Sequence, residues 1–214
     1  REAGLALLER FRTLAAGRLG VDEAQVSLVG GQAVGPDGAV LDLADIAAEG
    51  LASEAKFLNS DATYTNGTAA VHVAVDPETG RVEVLDYVVC DEVGRIVNAL
   101  TLHGQVTGAA VQGFGSVFGE ELPYDDDGAL LVGTLADYLV PLATDYPRVR
   151  CLSLESYPSP TNPLGAKGAG EGGIIPVGGA VANAVASALR AFDVAPNHLP
   201  LSPARVWALL NPAE

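Results

Sequence analysis

Residues 165–173, Gly-Ala-Lys-Gly-Ala-Gly-Glu-Gly-Gly, hold one carboxylate, Glu171, in a run otherwise made of glycine, alanine and a single lysine. Glycine on both sides strips the flanking backbone of side chains, so a bulky ligand can come close while the carboxylate projects into a confined site. The chemistry open to such a group is proton transfer, as a general base. A glutamate in a solvated loop is the plain alternative, and these residues alone leave both readings open. From Ser156 to Phe192 there is no other carboxylate, so no neighbour in this stretch can take the place of Glu171.

The same run also bears on nucleotide and phosphate binding. Gly168-x-Gly170-x-x-Gly173 has the spacing of a dinucleotide fingerprint, but that site needs a hydrophobic strand just before the glycines. Here the preceding residues, 158–164, contain three prolines and cannot make a central strand. A P-loop is excluded because Lys167 is followed by Gly168 rather than by Ser or Thr. A phosphate-binding module built on this loop and Lys167 remains a rival that the missing strand counts against. Cys90 and Cys151 lie far apart, without the CxxC spacing of a zinc or redox site, and read as small hydrophobes in strands. Asp125, Asp126 and Asp127 before Gly128 read as a solvated turn, and His72 as a solvent-facing strand residue.

The elements that position the loop follow from periodicity. Leu5, Leu8, Phe11, Ala15 and Leu19 predict a helix over 2–19 that closes at Gly20. Short strands are expected at 26–29 and 39–41, and a helix capped by Asp42 running to about residue 52. The clearest hairpin joins 69–75 to 81–90 through Asp76-Pro77-Glu78-Thr79-Gly80. Residues 102–118 read as a helix of low intrinsic propensity, because Gly104, Gly108, Gly113 and Gly115 interrupt it; something must press closely on its backbone. A strand at 119–124, a helix at 134–144 and a strand at 149–156 are expected next. A final buried helix over 179–192 has Val181, Val185, Leu189 and Phe192 as its packing stripe. Helices and strands mix without strict alternation, which predicts an α+β fold.

Composition bounds the function. The 214 residues include 49% hydrophobic ones, enough for a sizeable core. A formal charge of -15, with 12 basic residues, argues against nucleic acid. No apolar run approaches the roughly 18 to 20 residues of a membrane span. A cytoplasmic location is therefore expected.

The loop 165–173, followed by Ala180-Val181-Ala182-Asn183-Ala184-Val185, resembles the C-terminal active-site motif of the molybdenum hydroxylases, the family of xanthine dehydrogenase, aldehyde oxidase and the carbon monoxide dehydrogenase large subunit. Three further blocks match in order. Val75-Asp76-Pro77-Glu78-Thr79-Gly80 is similar to the family's strand-turn segment, and Asp91-Glu92-Val93-Gly94-Arg95-Ile96-Val97-Asn98 to the segment before its cofactor helix. The stretch from Gly104 to Gly113 is similar to that helix itself. The likeness continues to Leu199-Pro200-Leu201-Ser202-Pro203.

The resemblance implies that residues 1–214 form the C-terminal half of a molybdopterin-binding catalytic domain, its C-terminal lobe, with sublobes at about 1–60 and 61–214. It implies oxidation of an aldehyde, an N-heterocycle or carbon monoxide by a metal-bound hydroxide, with Glu171 as the base. Gln105 takes the place of the glutamine that hydrogen-bonds the metal's oxo ligand, and Gly104, Gly168, Ala169 and Gly170 are further cofactor contacts. No protein side chain is expected to ligate the metal. The implied cofactor is molybdenum-molybdopterin or its cytosine dinucleotide form. FAD and [2Fe-2S] are expected on partner subunits, and the N-terminal half of the molybdenum subunit as a further partner; two isolated cysteines cannot hold such a cluster. A non-catalytic assembly domain of the same fold is the rival.

Overall fold

The computed structural model describes residues 1–48, 50–58 and 61–212. The chain forms two compact units, Arg1–Ser60 and Asp61–Glu214.

In the first unit α1 (Glu2–Leu19) ends where Gly20 takes the left-handed conformation, φ 70°, and returns its N–H to the Ala16 carbonyl. Only the C-terminal turns of the expected stripe are buried, at Ala15 and Ala16, while Leu5 and Leu8 are exposed. An antiparallel meander of β1 (Ser27–Val29), β2 (Gln32–Val34) and β3 (Val40–Asp42) supplies the facing layer, closed by α2 (Leu43–Ala47). The core is Ala15, Ala16, Val26, Ala33 and Ile46. β2 escaped the sequence reading because it is three residues long between two turns. Asp42 caps α2 as expected, its Oδ1 accepting from the Ala44 N–H at 2.8 Å. The helix is shorter than predicted: Gly50 has φ 77°, which ends it, and Glu49 lies outside the described residues.

The second unit holds a sheet in the order β4-β5-β6, with two helices on one face. β4 (Asn66–Val75) and β5 (Val82–Glu92) are the expected hairpin, longer at both open ends. β6 (Arg150–Leu154) adds to β5 in parallel, with Val88 opposite Arg150 and Glu92 opposite Leu154. α3 (Ala99–Phe118) starts three residues before the predicted helix because Asn98 caps it, its side chain accepting from the Thr101 N–H. α4 (Val177–Ala188) lies on β4 and α3, and α5 (Pro203–Leu210) sends Val206 into the core. Tyr87, Val89, Val106, Phe114, Val181, Val185 and Leu189 make the centre, with the Phe114 ring edge-on to Tyr87 at 5.0 Å.

Three predicted elements differ. Residues 119–124 form no strand beyond an isolated bridge between Tyr124 and Leu130. Residues 134–144 are turns, not a helix. Pro141 interrupts this stretch, and Leu135, Leu139 and Leu142 all stay exposed, so the helical spacing has no core to bury against. Finally, α4 stops at Ala188 and a single tight turn, Arg190–Phe192, follows; Phe192 is exposed and Val177 supplies the missing rung of the stripe.

The pressure on α3 comes from α4. A Cβ added at Gly113 would stand 2.5 Å from Val177 Cγ2. Gly113→Ala should therefore destabilise the second unit by roughly 1 to 3 kcal/mol, the usual cost of overpacking. Urea denaturation measures this, and an unchanged midpoint would show that the helices separate without loss.

Candidate active site

The chain reverses between β5 and α3 and again between β6 and α4, and these two crossings meet. Gly94 (φ 62°) and Gly165 (φ 71°) both occupy the left-handed region, where glycine is the ready choice. Their segments are stitched together: the Arg95 N–H donates to the Gly165 carbonyl at 2.9 Å, and the Lys167 N–H to the Val93 carbonyl at 3.0 Å. Asn162 braces the loop from within, donating to the Ala166 carbonyl at 2.8 Å and accepting from the Leu164 and Ala166 N–H groups.

Glu92 locks this junction. At 5% exposure, its carboxylate accepts from the Gly94 N–H at 3.0 Å and from the Ser156 N–H at 2.9 Å. Burial would raise its pKa, but the N–H groups of Gly94, Tyr157 and Ser156, with the charge of Lys167, together bring it below the ordinary value.

Beyond the junction the loop runs along α3. Gly173 lies so close to this helix that a Cβ there would collide with the Val106 carbonyl oxygen and stand 3.0 Å from Ala109 Cβ. Gln105 Nε2 donates to the Gly170 carbonyl at 2.7 Å, tying helix to loop directly beside Glu171. On one side of this bond is a cleft of about 380 Å³ whose lining includes Arg95, Asn98, Lys167 and Ala169. On the other is one of about 320 Å³ lined by Gly104, Gln105, Gly108, Ala109, Gln112, Gly170, Glu171 and Ile174.

Every candidate from the sequence thus lies at or next to these clefts, with Gln105 common to both. Glu171 is exposed, and its carboxylate has no hydrogen-bond or ion-pair partner among the described residues. Gly104, Gly108, Gly168 and Gly170 have no heavy atom within 4 Å of the place a Cβ would occupy. Among the described residues no group of three His, Cys, Asp or Glu side chains could hold a metal ion. What the clefts offer is bare backbone, the side-chain amides of Gln105, Gln112 and Asn98, the cations Arg95 and Lys167, and the Glu171 carboxylate. That surface fits a flat, polar organic cofactor pressed against glycine.

Sequence reasoning missed Glu92, Asn162, Gln112 and Asp91. The first two are junction braces, and the Asx-turn preference of Asn before Pro163 was the available signal for Asn162. Asp91 is buried at 5% exposure, and a Cβ on Gly172 would stand 3.3 Å from its Oδ2. The segment 91–98 had been matched only as a block.

The profile of one family, the molybdopterin cofactor-binding domain, matches residues 1–147. The chain belongs to that family. It is a molybdenum hydroxylase family member, as the motif blocks imply. Over its whole length it is 38% identical to subunit gamma of the 6-hydroxypseudooxynicotine dehydrogenase complex of Paenarthrobacter nicotinovorans, of which it spans 29%. It is 33% identical to the carbon monoxide dehydrogenase large chain of Hydrogenophaga pseudoflava, over 70% of this chain and 18% of that one. The structure of quinoline 2-oxidoreductase from Pseudomonas putida 86 superposes with a TM-score of 0.86 at 30% identity, covering all of this chain and 29% of that one. The α+β fold is shared with it. The chain therefore spans under a third of these relatives. No helix among the described residues is long and apolar enough to cross a membrane.

Because the Glu92 pKa is lower in the fold than in the unfolded chain, its contribution is present above the ordinary glutamate value and is lost as pH falls through the folded value. Glu92→Gln should lower the melting temperature near neutral pH and shrink the fall of stability on acidification. Equal melting temperatures for the two proteins near neutral pH would remove Glu92 from the junction.

Proposed function

We propose that this chain is part of the catalytic subunit of a molybdenum hydroxylase that oxidises a nitrogen heteroaromatic compound, with Glu171 as its general base. The observation that carries the reading is the Gln105–Gly170 hydrogen bond, which sets two bare glycine stretches face to face beside an unpaired carboxylate.

The cofactor, molybdopterin or its cytosine dinucleotide form, would supply the metal that activates oxygen and takes up the electrons. This chain's residues do the rest. Gly104, Gly168, Ala169 and Gly170 present backbone for the cofactor to lie on. Gln105 holds the loop with one amide hydrogen and keeps the other for a cofactor oxygen. Glu171 accepts the proton released as the oxygen nucleophile attacks the ring carbon.

The substrate class rests on kinship. The relative at 38% identity and the solved structure at 30%, each aligned with the whole of this chain, are named for 6-hydroxypseudooxynicotine and quinoline. Electrons leave through partner subunits carrying [2Fe-2S] and FAD, since Cys90 and Cys151 alone cannot hold a cluster. The rest of the molybdenum subunit is a further partner, and exposed apolar side chains at Leu131, Leu135, Leu139 and Leu142 support its docking. Gly113 of α3 and the valine stripe of α4, by contrast, are already packed inside the unit.

In the complete complex, Glu171→Gln keeps the shape of the side chain and removes the proton acceptor. Turnover should fall by roughly 10²- to 10⁴-fold with molybdenum content unchanged. A fully metallated variant keeping more than about a tenth of its turnover is the result expected of an assembly domain, and would end the base assignment. Gln105→Ala should slow turnover by roughly 10- to 100-fold, the effect of losing about 1 to 3 kcal/mol from an oriented donor. Unchanged turnover in the metallated variant would refute that role.

A further inference from the structure

Asp91 is the last core-facing position of the β5 row Tyr87, Val89, Asp91, where an apolar side chain is the norm. It is 5% exposed and makes no hydrogen bond or ion pair among the described residues. Two glycines flank its carboxyl group. Gly67 is its cross-strand partner, and a Cβ there would collide with Asp91 Oδ1. On the other side a Cβ at Gly172, next to Glu171, would stand 3.3 Å from Oδ2 and 3.6 Å from Oδ1.

An unpaired carboxylate held in such surroundings is costly, and the neutral acid is the form that burial favours. Burial accordingly pushes the Asp91 carboxyl above the ordinary carboxylate range. Among the described residues no cation pairs with it. α4 has no titratable side chain, and α3 has only His103, which is exposed. β4 has His72, also exposed, and the Arg150 of β6 is taken by Asp86. The Cys151 thiol and the Tyr87 hydroxyl, itself buried without a partner, are the remaining groups near this end of the core, and the Asp91 charge raises the Tyr87 pKa further. The charge of Lys167 on the loop acts on Glu92, helping to lower its pKa.

We propose that Asp91, as the neutral acid, is a positioning residue that seats Gly172 and so fixes Glu171, and that its ionisation unseats the loop. The inference rests on the reading of Glu171 as the base, but the seat itself can be tested separately. A carboxyl whose pKa is higher in the fold favours the folded arrangement most at low pH. That contribution fades as pH rises from the ordinary carboxylate value through the higher value in the fold. Above it, a charge stands against Gly172, the residue next to Glu171 in the chain.

The test is amide hydrogen exchange of residues 168–174 in the complete complex, expressed as protection factors between about pH 5 and about pH 9, alongside the pH profile of turnover. Native protection should drop as pH rises and Asp91→Asn should hold it flat, moving the alkaline limb of turnover to higher pH. Protection that is flat in the native complex, or that drops identically in Asp91→Asn, overturns the proposal. Should Asp91→Asn not assemble, Gly172→Ala decides: crowding the carboxyl should lower loop protection, and unchanged protection overturns the seat. Failure of the Glu171 reading would show separately, as turnover surviving in Glu171→Gln while the exchange results stand.

Discussion

A backbone carbonyl on one helix and a glycine on a loop, in contact with no side chain between them, set the geometry on which the rest of the cleft depends. The Val106 carbonyl and Gly173 approach so closely that any Cβ would separate them. One step further along, Gly113 admits Val177 at the start of α4. These two approaches bring the loop alongside α3 and so place the Gly170 carbonyl within reach of Gln105. Dispersion and burial act here through backbone atoms, which is why a helix of poor intrinsic propensity is kept.

The elements that were legible in the sequence were those whose signal is local. The hairpin of β4 and β5 announces itself by β-branched alternation and a Gly-closed turn, and α1 by its apolar spacing and Gly20. The errors fall where a pattern lacks a partner. Residues 134–144 have helical spacing but no core to face, and β2 is too short to show alternation. In α4 the stripe and its phase were right but the bounds were not: the helix runs Val177–Ala188, and Phe192 lies in the tight turn beyond it and faces solvent.

At the site, the types of residue were legible and their division of labour was not. Glycines that look alike in sequence separate into two groups. Gly104, Gly108, Gly168 and Gly170 leave backbone open at the clefts, whereas Gly113, Gly172 and Gly173 are filled by neighbours. Only tertiary structure makes that distinction. Glu92 and Asp91 show the same limit: adjacent acids at the end of one strand, both buried, one saturated with N–H donors and the other with none.

The parallel pairing of β5 with β6 carries a consequence for how this unit is assembled. Glu92 and Ser156, joined by one hydrogen bond, are 64 residues apart in the chain. Parallel neighbours cannot be joined by a tight turn, so β6 reaches β5 only through a long connection that includes α3 and the irregular residues 119–149. The entropy of closing that loop is spent before the ladder returns anything, whereas the β4–β5 hairpin and α3 form from near neighbours. The glycine loop inherits this order, because it is stitched to the chain on both sides of the late contact. A nascent chain would therefore acquire its scaffold first and its reactive face last, and partial unfolding would disassemble them in the opposite sequence.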